Sequence, residues 1–279
     1  MQLVFEGKNR AKVHRIKRKS FIGQAVIVLL GVEVLFLSSF TALELPTATA
    51  RNLELFVRQT IQLVVNQLPE RLQGRIYRAV PEIAQPAEAT VRYNLYVPQA
   101  PAAIFIGYAL GWPLATVAAG LFVLLGLVAP FFNVHPFAAG GGVDYYLQPG
   151  FGYLIGIILA TAAVGSTTKD RRTTFSQILA TVVGLLIIHL VGLAYLLGIC
   201  LFFSFFQDLH GFPVWAQWVF EQARNLSWYS LPYDFAFALI AVGIGFPFRW
   251  LANVLVAPDI AVRHHRAEQS WRMAGPMGG

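Results

Sequence analysis

Away from its charged ends the chain offers few side chains that could do chemistry, and three of them sit inside apolar runs. Asp234 follows Pro232 by two residues and shares a helical face with Ala238, Ala241 and Gly245. A carboxylate at the centre of a membrane helix costs about 2.5–3.5 kcal/mol on insertion scales, so it ordinarily faces an interior or a cavity. The same position also fits an N-cap that satisfies free backbone N–H groups. His189 lies mid-way along a long apolar run, as a ligand contact or as a packed histidine bonded to a carbonyl. Glu33, mid-way along the first apolar run, must pair, protonate or reach water. No nucleophile–base pair and no metal-ligand spacing joins these groups, so no catalytic residue, metal or cofactor is assigned. Asp259, His264 and His265 read as a solvated tail. Cys200 is the only cysteine, which excludes an internal disulfide and a cysteine-based zinc site.

A fourth feature is a segment rather than a residue. From Asn133 to Tyr153 the chain is too polar and too rich in glycine for a spanning helix, yet it joins two apolar runs. Irregular backbone at membrane depth is tolerated only where protein buries it or water lines it. Gly140, Gly141 and Gly142 allow backbone to approach a ligand closely. Tyr145, Tyr146, Phe151 and Tyr153 add aromatic walls with polar tips, the usual lining of a small-molecule pocket. The plainer alternative is an external turn with interfacial aromatics.

These groups must be positioned by membrane helices. The 279 residues are 56% hydrophobic and only 13% charged, about half the charge a soluble domain carries. Apolar runs of spanning length fall at Phe21–Phe40, 96–110, 113–132, 150–164, 175–206 and 232–256, which predicts an all-α polytopic membrane protein of about six transmembrane helices. The first run is longer than a signal-peptide core, so it is expected to be retained. Gly111-Trp112 alone joins the second and third runs, which predicts a tight hairpin. Small residues mark the contact faces: Ala115, Ala119 and Gly126 on the third helix, Gly152, Gly156, Ala160 and Ala163 on the fourth.

Charge sets the orientation. Lys8, Arg10, Lys12, Arg15, Lys17, Arg18 and Lys19 crowd one end, and Arg263, Arg266 and Arg272 the other. With Lys169, Arg171 and Arg172 they fall on one side of six spans, which the positive-inside rule makes cytoplasmic. Basic runs that abut membrane-length spans argue against a nucleic-acid partner. The domain layout is then a basic cytoplasmic arm over 1–20, the first helix over 21–40, and an external connection over 41–92. The remaining five-helix membrane domain covers 93–257 and a cytoplasmic tail 258–279. In the connection, Leu53, Phe56, Leu63, Val64, Leu68, Leu72 and Ile76 recur at three- and four-residue spacing. One amphipathic helix over 52–80 is predicted, lying on membrane lipid or over the bundle.

At Phe137-Ala-Ala-Gly140-Gly141-Gly142 and Leu147-Gln148-Pro149-Gly150-Phe151-Gly152-Tyr153-Leu154-Ile155-Gly156 the chain resembles a divergent member of the BioY family. These are the biotin-specific substrate-binding (S) components of energy-coupling-factor transporters. Ile188-His189-Leu190-Val191-Gly192 and Leu231-Pro232-Tyr233-Asp234 resemble that family's fifth- and sixth-helix motifs, within a likeness covering roughly 93–256. The resemblance implies an S-component-like bundle in a bacterial plasma (inner) membrane, with both termini cytoplasmic and ligand captured on the external face. The implied ligand is biotin or a biotin-like small molecule. Implied partners are a transmembrane coupling subunit and two cytosolic ATPases, with self-association as the other arrangement. No G-x-x-x-x-G-K-[ST] run is present, so the chain holds no P-loop of its own.

Carried over, Asp234 matches the family aspartate that contacts biotin, and its carboxylate suits ureido N–H donors. Tyr153 matches the family tyrosine, and Gly141 and Gly142 match pocket backbone. Tyr146, His189, Gly140 and Phe237 complete the expected ligand-binding set of eight. The sequence also departs from the pattern. Phe237 stands where members commonly have Lys, Gly140 where an Asn can contact ligand, and Leu154 where some have Arg. The Ala-x-x-x-Ala docking patch is missing as well, since Ala25 is followed by Leu29. The expected function is a membrane substrate-binding subunit for uptake of biotin or a related vitamin, not an enzyme. The alternatives are a non-transporting membrane interaction protein and, last, an intramembrane enzyme using Glu33, His189 or Asp234.

Overall fold

The first apolar run folds as α1 (Phe21–Phe40), with the bounds its composition predicts; Ser20 caps it by accepting from the Gly23 N–H at 3.2 Å. The computed structural model describes residues 20–84, 89–133, 137, 140–169, 173–205 and 215–257. The basic arm, the tail, and Arg171 and Arg172, on which the orientation rests, lie outside the described residues.

After α1 comes a strand that the sequence reading missed. Strand β1 (Leu43–Pro46) pairs antiparallel with β2 (Tyr93–Tyr96), with Leu43 opposite Tyr96. The second span therefore starts later than predicted: Tyr96 belongs to the ribbon, and the helix that follows begins only at Gln99. Between the strands, the single amphipathic helix expected over 52–80 is two, α2 (Ala50–Asn66) and α3 (Glu70–Ala79), followed by the short α4 (Pro81–Ala84). Pro69 is the cause, because its ring clashes with the preceding turn and it has no N–H to continue the ladder. Asn52 holds this excursion to the ribbon, donating to Thr47 O at 3.0 Å and Arg92 O at 2.8 Å and accepting from the Arg92 N–H.

The remaining apolar runs are helical. They are α5 (Gln99–Leu110), α6 (Leu114–Val128) with a 3-10 turn over Ala129–Phe132, α7 (Phe151–Thr167) and α8 (Thr174–Phe205). The short α9 (Trp218–Ala223) runs through a π-helical turn (Arg224–Trp228) toward α10 (Leu231–Ile244), and α11 (Phe246–Val256) follows. The last predicted span is thus broken at Gly245, with a bend of 54°. Among the described residues, Phe21–Phe40, Leu114–Phe132 and Thr174–Phe205 are long and apolar enough to cross a membrane, and the bent pair makes a fourth candidate. At 12 and 17 residues, α5 and α7 fall short of the ~20 that a spanning helix needs. The protein is an all-α membrane protein, with one small β-ribbon among the described residues.

Small residues set the packing, as helices in lipid require. The α7–α8 pair forms the largest interface. A Cβ on Gly156 would come within 2.8 Å of the Ile188 Cα, so the two backbones touch there. Gly107 fits against Val164, joining α5 to α7, and Gly245 fits against the ring of Tyr108. Ala115, Ala119, Phe122 and Gly126 form the buried face of α6. That face packs chiefly on α1 and α7, more than on α5 across the predicted hairpin. Glu33 is exposed, on the side of α1 opposite its buried Gly31 and Leu35.

Candidate ligand-binding site

The helix α10 begins with Pro232 in its first turn, where a missing N–H is harmless. Asp234 follows, and the favourable end of the helix dipole supports its charge. Ser230 occupies the N-cap position, and the Asp234 backbone N–H bonds to Ser230 O at 2.8 Å. The Asp234 carboxylate is turned instead into the bundle, 3% exposed. Tyr96 donates its phenol O–H to Oδ1 at 2.8 Å, and His189 Nε2 stands 3.3 Å from Oδ2. The latter is an ion-pair distance without hydrogen-bond alignment, and Nε2 has no hydrogen-bond partner among the described residues.

A polar chain continues from there. His189 Nδ1 lies 3.2 Å from Ser227 Oγ, which lies 2.7 Å from Tyr153 Oη. Each residue of the chain is delivered by a different element. Tyr96 ends β2, Tyr153 opens α7, His189 sits mid-way along α8, Ser227 sits on the π turn, and Asp234 opens α10. Gly192, one turn beyond His189 on α8, leaves the space that the Tyr153 ring fills; an added Cβ would lie 2.5 Å from that ring. The rings of Tyr153 and His189 then meet edge to face at 6.1 Å. The π turn, closed by Tyr229 N–H to Arg224 O at 2.9 Å, turns Ser227 into the core.

The chain borders a cavity of about 250 Å³, near the small end of the range for small-molecule sites. Asp234, His189 and Tyr153 line it, with Tyr96, Tyr145 and Phe137 among the aromatic walls and Gln99 and Asn225 among the amides. Burial and the neighbouring Asp234 charge push the Tyr96 phenol pKa well above its ordinary value, so its O–H stays available. Burial raises Tyr145 as well.

Of the eight residues expected at the site, three therefore meet at the cavity: Asp234, Tyr153 and His189. The glycines do not line it. Gly140, Gly141 and Gly142 all have positive φ, at 110°, 141° and 106°. The Gly142 N–H donates to Gly126 O at 3.0 Å, and a Cβ on Gly141 would come within 2.6 Å of that same carbonyl. Their work is to seat the loop on the end of α6, where the Phe137 ring fills the space left by Gly126. Tyr146 is exposed, and its carbonyl accepts from the Tyr195 hydroxyl, while its neighbour Tyr145 faces the cavity. Phe237 stacks on Tyr96 at 5.6 Å from behind. Tyr96 and Ser227 are the polar contributors that sequence reasoning missed, whereas Tyr145 is one of the aromatic walls it expected. The strand that delivers Tyr96 has four residues, too few for a period-two pattern to mark it.

Comparison with known proteins gives three findings. A family model described as the BioY family matches residues 88–253, more than half of the chain. The probable biotin transporter BioY of Lysinibacillus sphaericus is 44% identical over 62 residues, which is 22% of this chain. The match spans only 32% of that relative's length. Among solved structures, the S-component for biotin from an ECF-type ABC transporter aligns over 80% of this chain and 92% of its own. Its TM-score is 0.39 and its identity 18%.

Proposed function

This chain belongs to the BioY family, and from that premise we propose that it is a membrane substrate-binding subunit for uptake of biotin or a related cyclic urea. The observation that carries this reading is the buried Asp234 carboxylate at the wall of an aromatic-lined cavity. A carboxylate buried there accepts ureido N–H donors, and away from bulk water a charge-assisted hydrogen bond counts most. His189 and Tyr96 hold the carboxylate in place before ligand arrives. Tyr153, Tyr145 and Phe137 pack the apolar body of the ligand.

In this reading the cavity opens to the external face, both termini are cytoplasmic, and the membrane is the bacterial inner membrane. Energy for release comes from outside the chain, through a transmembrane coupling subunit and two cytosolic ATPases, and the chain itself performs no catalysis. The test is binding of labelled biotin to the detergent-purified protein. Saturable binding that Asp234→Ala abolishes supports the reading; absence of saturable binding rejects it.

A second reading has one observation in its favour. The α2–α4 excursion precedes the family match and exposes Val57, Ile61, Leu63 and Val64. An apolar helix face of that kind suits a partner, and a non-transporting interaction protein would use it so. Affinity purification from membranes separates the two: recovery of ATPases with the chain favours transport, and a stable assembly without them favours the alternative.

A further inference from the structure

Tyr96 hydrogen-bonds the Asp234 carboxylate and lines each of two cavities. The second, also about 250 Å³, lies along the ribbon and is lined by Pro46, Asn94, Leu95, Tyr229 and Tyr233 besides Tyr96. It shares Leu95, Tyr96, Asn225, Leu226 and Ser230 with the first, so the phenol stands on the wall between them.

The ring is fixed on every side. Its backbone is held in the ribbon opposite Leu43. Phe237 stacks on it at 5.6 Å with planes 26° apart, and Tyr233 packs against it at 5.8 Å. Tyr233 is itself tied back to the ribbon, donating its hydroxyl to Pro46 O. With the ring clamped and 5% of the residue exposed, the Oη position is set and only the hydroxyl hydrogen rotates.

We propose that Tyr96 is a specificity-determining ligand anchor, whose hydroxyl turns from Asp234 to the ligand carbonyl as a ligand N–H takes its place on Asp234. This rests on the reading of the cavity as the biotin site. The exchange conserves hydrogen bonds. Before binding, Asp234 Oδ1 accepts from Tyr96. After it, Oδ1 accepts from the ligand N–H and Tyr96 donates to the adjacent C=O. Neither Asp234 Oδ1 nor the Tyr96 hydroxyl is left unsatisfied at either stage, which is what makes the exchange cheap. Only an edge that presents N–H and C=O side by side closes this circuit, as a cyclic urea or a lactam does. A ligand offering donors alone leaves the phenol on the carboxylate and competes with it. Discrimination of this kind is strong because mismatched ligands leave a buried group unpaired.

The test is calorimetry on full-length protein in detergent, comparing wild type with Tyr96→Phe against biotin and against its diamine analogue lacking the ureido carbonyl. The expected result is a loss of roughly 10- to 100-fold in biotin affinity, with diamine affinity unchanged or higher. An equal loss for both ligands assigns Tyr96 to architecture alone and overturns the proposal. Tighter biotin binding makes the phenol a competitor of the ligand and overturns it too. Wild type that binds no biotin sinks the reading of the cavity and this proposal together, whereas intact binding without the differential loss sinks this proposal alone. Should Tyr96→Phe fail to fold, infrared spectra of wild type with biotin labelled at the ureido carbonyl decide the matter. A carbonyl stretch lowered from its value in aprotic solvent supports the donor, and an unshifted one overturns it.

Discussion

The Arg249 guanidinium donates to the Tyr108 carbonyl at 2.6 Å, tying α11 to the last turn of α5. It also donates to the Thr168 carbonyl at 3.0 Å and the Thr168 hydroxyl at 3.2 Å, and lies over the Tyr108 ring at 5.3 Å. One buried cation thereby caps two helix ends, α5 and α7, where free carbonyls and the helix dipole favour positive charge.

Arg249→Met is expected to destabilise the bundle by about 1–3 kcal/mol for each carbonyl it leaves unpaired. Arg249→Lys recovers only part of this, because an ammonium cannot bridge two carbonyls as a planar fork does. Thermal melting in detergent checks both, and Arg249→Met melting with wild type would remove the arginine from the framework.

At the loop, glycine substitutions should separate strain from collision. Gly141→Ala combines a φ of 141° with a Cβ 2.6 Å from Gly126 O, whereas Gly140→Ala, at φ 110°, meets nothing within 4 Å. Backbone strain of about 1–3 kcal/mol applies to both. Gly141→Ala is expected to melt lower of the two, and the reverse order would contradict the seating of this loop on α6.

Ser227→Ala breaks the link between Tyr153 and His189 without touching Asp234. A net neutral hydrogen bond is worth about 0.5–1.5 kcal/mol, so ligand affinity should fall roughly 3- to 10-fold. His189→Ala should cost more, since it also removes the group facing Asp234 Oδ2. Titration calorimetry of the two variants reads this order directly.

The Tyr96 phenol is held neutral by burial and by the Asp234 charge, so its folded pKa lies above its unfolded value near 10. Its contribution to stability is therefore complete below about pH 10 and is lost only as pH rises through the folded pKa. Alkaline titration followed by tyrosinate absorbance should show fewer ionising groups before unfolding than in the denatured protein, since burial also holds up Tyr145. Tyr96→Phe should narrow that difference by one group.

Composition was enough to find the helices, because a run of twenty apolar residues has few other solutions. Phe21–Phe40 is recovered to the residue. The ribbon was not legible: Leu43–Pro46 and Tyr93–Tyr96 are four residues each and lie 46 positions apart, too short for periodicity and too distant for a turn signal. That one omission also hid Tyr96, which looked like the first residue of a span. Asp234 and His189 were visible singly, as costly groups in apolar runs, but their meeting depends on how α8 and α10 are placed against each other. The glycine run was singled out as backbone that a ligand could approach closely, and the structure gives all three glycines positive φ. Its partner is the end of α6 and not the cavity, a distinction that only packing makes.

The shortness of α5 has a geometric consequence. Twelve residues rise about 18 Å, whereas the hydrocarbon layer is about 30 Å thick. Some 12 Å of that layer has no α5 to fill it, and the cavity meets α5 at Gln99 and Ala100, its N-terminal end. The cavity therefore borders the place where a helix of full spanning length would have continued, and the ribbon residue Tyr96 walls that place instead.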